Sequence, residues 1–407
     1  MEYEALSTLY YGDKKTYQNE YWARFNSPET IKLNFKIKDN QAFFVQHTAI
    51  FGLVTKILRA DKEVSILRGK LPLIAIDQFT DRCLIDEIVL TNKIEGVYST
   101  RKEIASVLKG LENVVEKKSH RKRFSGLVAK YYKLKEQEHI ELKTCEDVRA
   151  LYNELVLPEV IEENPNNAPD GRIFRKDSAS VNSATDKEIH RGTYPESEIC
   201  REIEQALAFL GDKTIEPLYR VAIFHYLLEY IHPFYDGNGR LGRFIISDLL
   251  AQNLDPLLAY RISYTITENI SRYYTAFKVC NDEHNLGDIT PFLLMMLDMI
   301  NISVSQLKNA LETRIAKFSH YSDNISKLPY ADKQKTHDLY YRLIQAALFA
   351  EQGITMSVLK ILLRQSSVTI KNTLNKVEDA DYLNTIKVGK TFHYSLNLER
   401  FDALLAE

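Results

Sequence analysis

Apolar positions recur at helical spacing along most of this chain. Between Gln41 and Val114 three stretches carry the pattern: FVQHTAIFGLVTKILRA, DRCLIDEIVLTNKIEG and TRKEIASVLKGLENVV. In the second, Leu84, Ile88 and Thr91 fall on one stripe at i, i+4 and i+7. Helical runs resume at RFSGLVAKYYKLKEQE and CEDVRALYNELVLPEV. They continue through ESEICREIEQALAFLGD, IEPLYRVAIFHYLLEYI, RLGRFIISDLLAQNL and TENISRYYTAFKVCNDE to the long DITPFLLMMLDMINISVSQLKNALETRIAKF. The run ending at Ile231 reads as an amphipathic helix. Residues 1 to about 40 are polar and aromatic without a clear period, and the pattern assigns them no element. One long stretch, residues 163–197, is not helical: its Pro, Asn and Gly residues set turns. Within it RIFRK and KEIHR are predicted as short strands of a hairpin, and a loop of this length in a compact domain is usually functional or disordered.

The tail has a different rhythm. Residues 322–334, SDNISKLPYADKQ, read as a linker. THDLYYRLIQAALFA, ITMSVLKILLR and SSVTIKNTLNKVEDADYL predict three helices, the last with Ser366 or Ser367 as N-cap. NTIKVGKTFHYSLN alternates with period two around Gly389, as a hairpin does. Three short helices and a hairpin predict a winged helix-turn-helix. The whole is mainly α, in three segments: 1–123, 124–321 and 335–407.

Composition narrows the picture without redirecting it. The chain has 407 residues, 45% hydrophobic and 27% charged, and a net charge of -2, which excludes a strongly basic nucleic-acid coat. Cys83, Cys145, Cys200 and Cys280 lie far apart with no CxxC pair, so reduced thiols in a cytoplasmic protein are expected. The start MEYEALSTLYYG lacks a basic flank and an apolar core, so no signal peptide is expected there. PFLLMMLDMI, interrupted by Asp298, reads as a buried helix, and no membrane partner is expected. The basic run EKKSHRKR, residues 116–123, reads as a solvated helix end or loop, with a nucleic-acid or localisation role as the alternative.

The chemistry concentrates in IHPFYDGNGRLGR, residues 231–243. A helix delivers His232 at its C-terminal end and Pro233 stops it. After the turn, Gly237, Asn238 and Gly239 open the next helix, where unpaired N–H groups make an anion site that glycines let a ligand approach. Arg240 and Arg243 share a face and offer forked donors to the same anion. Asp236 is a hard oxygen ligand suited to Mg²⁺ that also touches phosphate. His232 is the one group here with an ordinary pKa near neutrality. Phe234 is the apolar anchor of a polar loop. Together these predict transfer of a phosphoryl or nucleotidyl group to a hydroxyl.

HPFYDGNGRLGR resembles the signature of the Fic (filamentation induced by cAMP) family, HxFx[D/E]GNGRxxR, at every defining position. The resemblance implies a helical Fic fold with a β-hairpin flap and transfer of AMP from Mg·ATP to a Ser, Thr or Tyr hydroxyl of a protein target, which includes this chain itself. It implies that His232 is the base and Asp236 the Mg²⁺ ligand. Asn238 and the amides of Gly237 and Gly239 would form the anion hole, and Arg240 and Arg243 would hold the β- and γ-phosphates. The likeness extends over roughly Phe43 to Leu297. DGRIFRKDSASVN is similar to the flap, which in the family holds the target by main-chain pairing. ENISRYYTAF is similar to the helix that meets adenosine, with Asn269 and Tyr273 on one face.

TNKIEG, Thr91 to Gly96, matches the family's inhibitory pattern [S/T]xxxE[G/N] and ends a helix ahead of the main motif. It implies that Glu95 pairs with Arg243 and denies it to the γ-phosphate. Two other readings stay open. One is removal of AMP, with Glu95 positioning a water. The other is a DNA-binding regulator acting through the tail. Residues 331–407 carry ten Lys/Arg against nine Asp/Glu, so DNA, the protein target and a second copy of the chain all remain as partners.

Overall fold

The computed structural model describes residues 3–112, 123–182 and 188–406. They form two compact units, one of residues 1–62 with 84–305, the other of 63–83 with 306–407. This division cuts across the three segments read from the sequence. Most of the basic run at 116–123 lies outside the described residues. Its last member, Arg123, hydrogen-bonds to the Tyr98 carbonyl and pairs with Glu163 at 3.1 Å.

The first unit opens with the region that showed no helical period. Helices α1 (Leu6–Gly12) and α2 (Lys14–Phe25) precede an antiparallel hairpin of β1 (Thr30–Ile37) and β2 (Asn40–Val45). Leu33, Phe35 and Ile37 alternate into the core, a period-two signal only a few residues long. Residues 41–45, expected at the head of a helix, are therefore a strand. Phe43 and Val45 pack with Leu6 and Tyr17, and Phe43 is pinned by Gly287 and Ile289 through two 2.9 Å backbone bonds.

Three helices follow: α3 (Thr48–Gly69), α4 (Leu73–Ile94) and α5 (Arg101–Glu112). Next come α6 (Ser125–Lys135), α7 (Cys145–Leu155) and α8 (Leu157–Glu163). Thr144 and Asp147 close a capping box at the start of α7. In the non-helical stretch the paired strands are β3 (Ser180–Asn182) and β4 (Glu188–Arg191). KEIHR thus contributes a strand. RIFRK does not, because the N–H groups of Arg172, Ile173 and Phe174 all point at the Glu196 carboxylate instead of a neighbouring strand.

Then α9 (Glu196–Gly211), α10 (Pro217–Ile231) and α11 (Asn238–Asn253) bring the motif into place. α10 is not amphipathic. Almost every residue from Leu218 to Ile231 is buried, as expected of a helix packed on all sides. α12 (Ile262–Glu268) and α13 (Ile270–Cys280) precede α14 (Thr290–Asp323), which at 34 residues follows the long helical run read from sequence and continues to Asp323. By length and composition α14 could cross a membrane, yet most of its apolar stretch is buried inside the protein.

In the second unit the expected linker is packed: Ile325, Leu328 and Ala331 are buried, and the Tyr340 hydroxyl donates to the Pro329 carbonyl at 3.1 Å. α15 (Gln334–Phe349), β5 (Ile354–Thr355), α16 (Met356–Leu363) and α17 (Ser367–Asp379) lead into the hairpin of β6 (Leu383–Val388) and β7 (Thr391–Leu396). The strand order is β5-β7-β6, and α18 (Leu398–Ala406) closes the chain. Ser366 caps α17 by accepting from the Thr369 N–H at 3.2 Å. Gln345 Nε2 donates to Gln78 Oε1 of α4 at 3.2 Å, which shows how the 63–83 segment joins this unit.

Candidate active site

His232 caps the C-terminus of α10 in the left-handed region, at φ 52° and ψ 63°. A non-glycine residue held there carries a local cost, which the surroundings must hold in place. Pro233 prevents the helix from continuing. Phe234 is fully buried and stacks on Tyr152 of α7, with centroids 3.6 Å apart and planes 6° apart. The Tyr152 hydroxyl donates to the Asp236 carbonyl at 3.0 Å. The loop between α10 and α11 is therefore anchored at both its apolar and polar residues.

Asn238 does something other than face a ligand. Its Oδ1 accepts from the Phe234 N–H at 3.0 Å and its Nδ2 donates to the Phe234 carbonyl at 2.8 Å. The side chain laces the loop shut, so an anion hole here is left to the backbone N–H groups at the start of α11. Gly237, the N-cap, has φ 82°, a region that favours glycine.

Arg240 and Arg243 are both about 1% exposed. Arg240 Nη1 meets Glu159 Oε2 of α8 at 3.3 Å, while its Nε and Nη2 are buried without a hydrogen-bond partner. Unpaired buried donors are costly, and an anion would satisfy them. Burial pushes the Glu159 carboxyl up to about 7, against the pull of Arg240. Asp236, its side chain 34% exposed, places Oδ1 3.8 Å from Arg240 Nη2.

Arg243 is engaged through Nε and Nη2. Its Nε donates to Thr91 Oγ1 at 2.7 Å, and its Nη2 donates to the Thr91 carbonyl at 3.1 Å and to Glu95 Oε1 at 2.7 Å. Burial works against ionisation of Glu95, but Arg243 outweighs it and holds the carboxyl below its ordinary range. Glu95 stands at the end of α4 because Gly96, at φ 73°, turns the chain, and Val97 N–H returns to the Asn92 carbonyl at 2.9 Å. The same carboxylate lies against Gly239: a methyl group there would overlap Glu95 Oε1. Glu95 thus fills the space through which an anion would reach the first turn of α11.

Burial depresses His232 to about 4, Arg175 and His190 add to the effect, and Glu95 opposes it. The imidazole is neutral at physiological pH, and its Nδ1 is buried without a partner. Among the described residues no cluster of three His, Cys, Asp or Glu side chains could cage a metal. A lone Asp236 carboxylate beside an open anion site fits Mg²⁺, which keeps waters and shares phosphate oxygens instead of needing an all-protein cage.

Asn269 and Tyr273 meet different hydrogen-bond partners, and Tyr273 feels the charges of Glu229, Arg243 and Glu95. Asn269 Nδ2 is spent on the Thr265 carbonyl at 2.9 Å, and Tyr273 is a core residue whose hydroxyl meets His225 Nε2 at 2.6 Å. The neighbouring Tyr274 is 40% exposed and feels the charges of Glu95 and Arg243. Sequence reading also missed Glu229, one helical turn before His232. Burial, with Glu95 adding, pushes it up to about 8, and its Oε1 lacks a partner. A lone Glu in the apolar run FHYLLEYI was its only sequence signal.

Against known proteins, residues 143–250 match the Fic/DOC family. The chain carries a Fic-family domain. A Fic family protein from Desulfovibrio desulfuricans G20 superposes with a TM-score of 0.50 over 86% of this chain and 96% of its own, at 22% identity, which shows the Fic fold. Protein adenylyltransferase fic-1 of Caenorhabditis elegans is 29% identical over 130 residues, 31% of this chain and 22% of that protein. Protein adenylyltransferase Fic of Drosophila melanogaster is 35% identical over 101 residues, 25% of this chain and 18% of that protein. The chain thus spans about a fifth of the length of these curated relatives.

Proposed function

We propose that this protein transfers AMP from Mg·ATP to a hydroxyl side chain of a protein, and that Glu95 restrains it. The observation that carries the reading is the pair of unpaired Arg240 donors at the start of α11, together with the neutral imidazole of His232 where the preceding loop begins. A neutral imidazole accepts a hydroxyl proton, and a helix N-terminus with a buried guanidinium stabilises phosphate charge. Asp236 would hold Mg²⁺, which when bound neutralises phosphate charge as the leaving group departs. Arg243 would clamp the terminal phosphates once Glu95 leaves it. Relatives named as protein adenylyltransferases support the nucleotidyl over the phosphoryl reading.

Labelling with ATP tagged at the α-phosphate against ATP tagged at the γ-phosphate tests this in the Glu95→Gly protein. Transfer of the α-label alone to protein is expected. Transfer of the γ-label would replace the proposal with phosphoryl transfer. Loss of AMP from a premodified target in the parent, and not in Glu95→Gly, would replace it with the reverse reaction.

We read the segment from α15 to β7 as a winged helix-turn-helix with α17 as its second motif helix. Its near-balanced charge favours a protein contact, to the target or to a second copy, over DNA. None of the four cysteines forms a disulfide, in keeping with a cytoplasmic setting.

A further inference from the structure

Arg175 lies between α8 and β3, outside the His232–Arg243 motif, and is completely buried. Among the described residues its hydrogen bonds go to backbone carbonyls. Nε donates to His232 at 2.9 Å, Nη2 donates to Thr193 at 2.8 Å and to Ile231 at 3.4 Å, and Nη1 donates to Asp177. Two of these acceptors belong to the last turn of α10, where carbonyls lack intrahelical partners and a cation is favoured. The other two belong to the two sides of the flap. A planar fork with five donors can serve four such acceptors at once, and an ammonium cannot.

Backbone contacts follow the same seam. Arg175 N–H donates to the Pro233 carbonyl at 3.3 Å, Thr193 N–H to the Ile231 carbonyl at 3.0 Å, and Gly192 N–H to the Ala179 carbonyl at 2.9 Å. The approach is close enough that a Cβ on Gly192 would stand 2.5 Å from Arg175 Nη2 and 2.9 Å from His232 Cβ. Opposite, His190 Nε2 lies 2.6 Å from the Tyr230 carbonyl.

We propose that Arg175 is a positioning residue that ties the base of the flap to the end of α10 and so holds His232 in its left-handed conformation. This rests on the reading of His232 as the base and extends it to the segment that presents the target. Geometry carries the inference, and charge agrees with it. The groups facing the imidazole are Arg175 and His190 from the flap side, which depress it, and Glu95 from α4, which raises it.

The full chain with Arg175→Lys or Arg175→Met tests the inference. Hydrogen exchange of peptides covering residues 188–193 is expected to quicken about tenfold or more in both variants, because the fork is lost in both. The His232 ring, assigned by its loss in His232→Asn, is expected to titrate at higher pH in Arg175→Met, with Arg175→Lys nearer the parent. In the Glu95→Gly background kcat is expected to fall about tenfold or more while KM for ATP stays put, since the Arg175 donors are spent on backbone carbonyls. Unchanged exchange at 188–193 in the folded variants, or unchanged kcat, overturns the proposal. If Arg175→Met shows no melting transition, Arg175→Lys decides alone. Exchange and titration need no transfer, so a protein that moves no AMP would sink the proposed function and leave this inference to stand or fall by itself.

Discussion

Arg240 and Arg243 stand on the same turn of α11, equally buried, and meet opposite circumstances. Arg240 is held from behind by one carboxylate of α8 and leaves two donors unpaired. Arg243 has donors spent on Thr91 and on Glu95, both from the end of α4. One half of the anion site is thus open and the other is filled by an anion that belongs to the protein. Two arginines three residues apart look alike in the sequence. The difference lies in where their carboxylates come from: Glu159 supports from beneath, while Glu95 reaches over the first turn of the helix and covers Gly239.

The largest effect that sharpens this contrast is at the base. In the Glu95→Gly background, His232→Ala is expected to lower AMP transfer by about 10²–10⁴-fold, measured by α-label incorporation. Glu95→Gly alone is expected to raise transfer ten- to hundredfold, roughly the worth of a charge-assisted hydrogen bond. Equal labelling of parent and Glu95→Gly would mean that the Glu95 contact does not restrain the enzyme.

The next test sets the two arginines against each other. In the parent, Arg240→Ala is expected to weaken ATP binding about tenfold or more, and Arg243→Ala hardly at all, because Arg243 is already taken. In Glu95→Gly both substitutions are expected to weaken it comparably. Calorimetric titration with Mg·ATP reads the four cases. Equal losses in the parent would erase the distinction between an open and a closed arginine.

A smaller effect separates support from restraint. Glu159→Gln keeps an acceptor for Arg240 Nη1 and is expected to leave KM for ATP near the parental value. Glu159→Ala removes it and is expected to raise KM about three- to tenfold, the worth of one ordinary hydrogen bond. If Glu159→Gln instead activated transfer as Glu95→Gly does, Glu159 would be a second restraint.

The smallest expected effect is a flat line. His232 is depressed to about 4, chiefly by burial, so its neutral form persists until pH falls through that value. Removing Glu95, which pulls the pKa up, keeps it low. The kcat of Glu95→Gly is therefore expected to stay level between pH 8 and about 5.5 as far as His232 controls it. A decline with midpoint near 6.5 would show an imidazole in an ordinary environment, not this one.

Much of this arrangement is legible locally. The helices, the loop after His232, the stop at Gly96 and the cap at Ser366 follow from steric and hydrogen-bond preferences that act over a few residues. The Glu95–Arg243 pairing came from a family resemblance, not from local chemistry, and the structure places those groups 2.7 Å apart. Where local reasoning went astray, a competing contact decided. RIFRK has strand-like composition, yet its amides serve Glu196. Asn238 looks like a ligand-facing amide and instead laces its own loop. Tyr273 shares a helical face with Asn269, but its hydroxyl is spent on His225.

The sequence by itself determined which groups crowd the turn between α10 and α11 and which way the helix ends point, because turn chemistry is short-ranged. Only the tertiary structure decided which carboxylate each arginine meets, that Arg175 reaches the end of α10, and that His232 is dry enough to stay neutral. Those outcomes depend on packing between residues as far apart as Glu95 and Arg243, 148 positions along the chain, and on how much water that packing excludes.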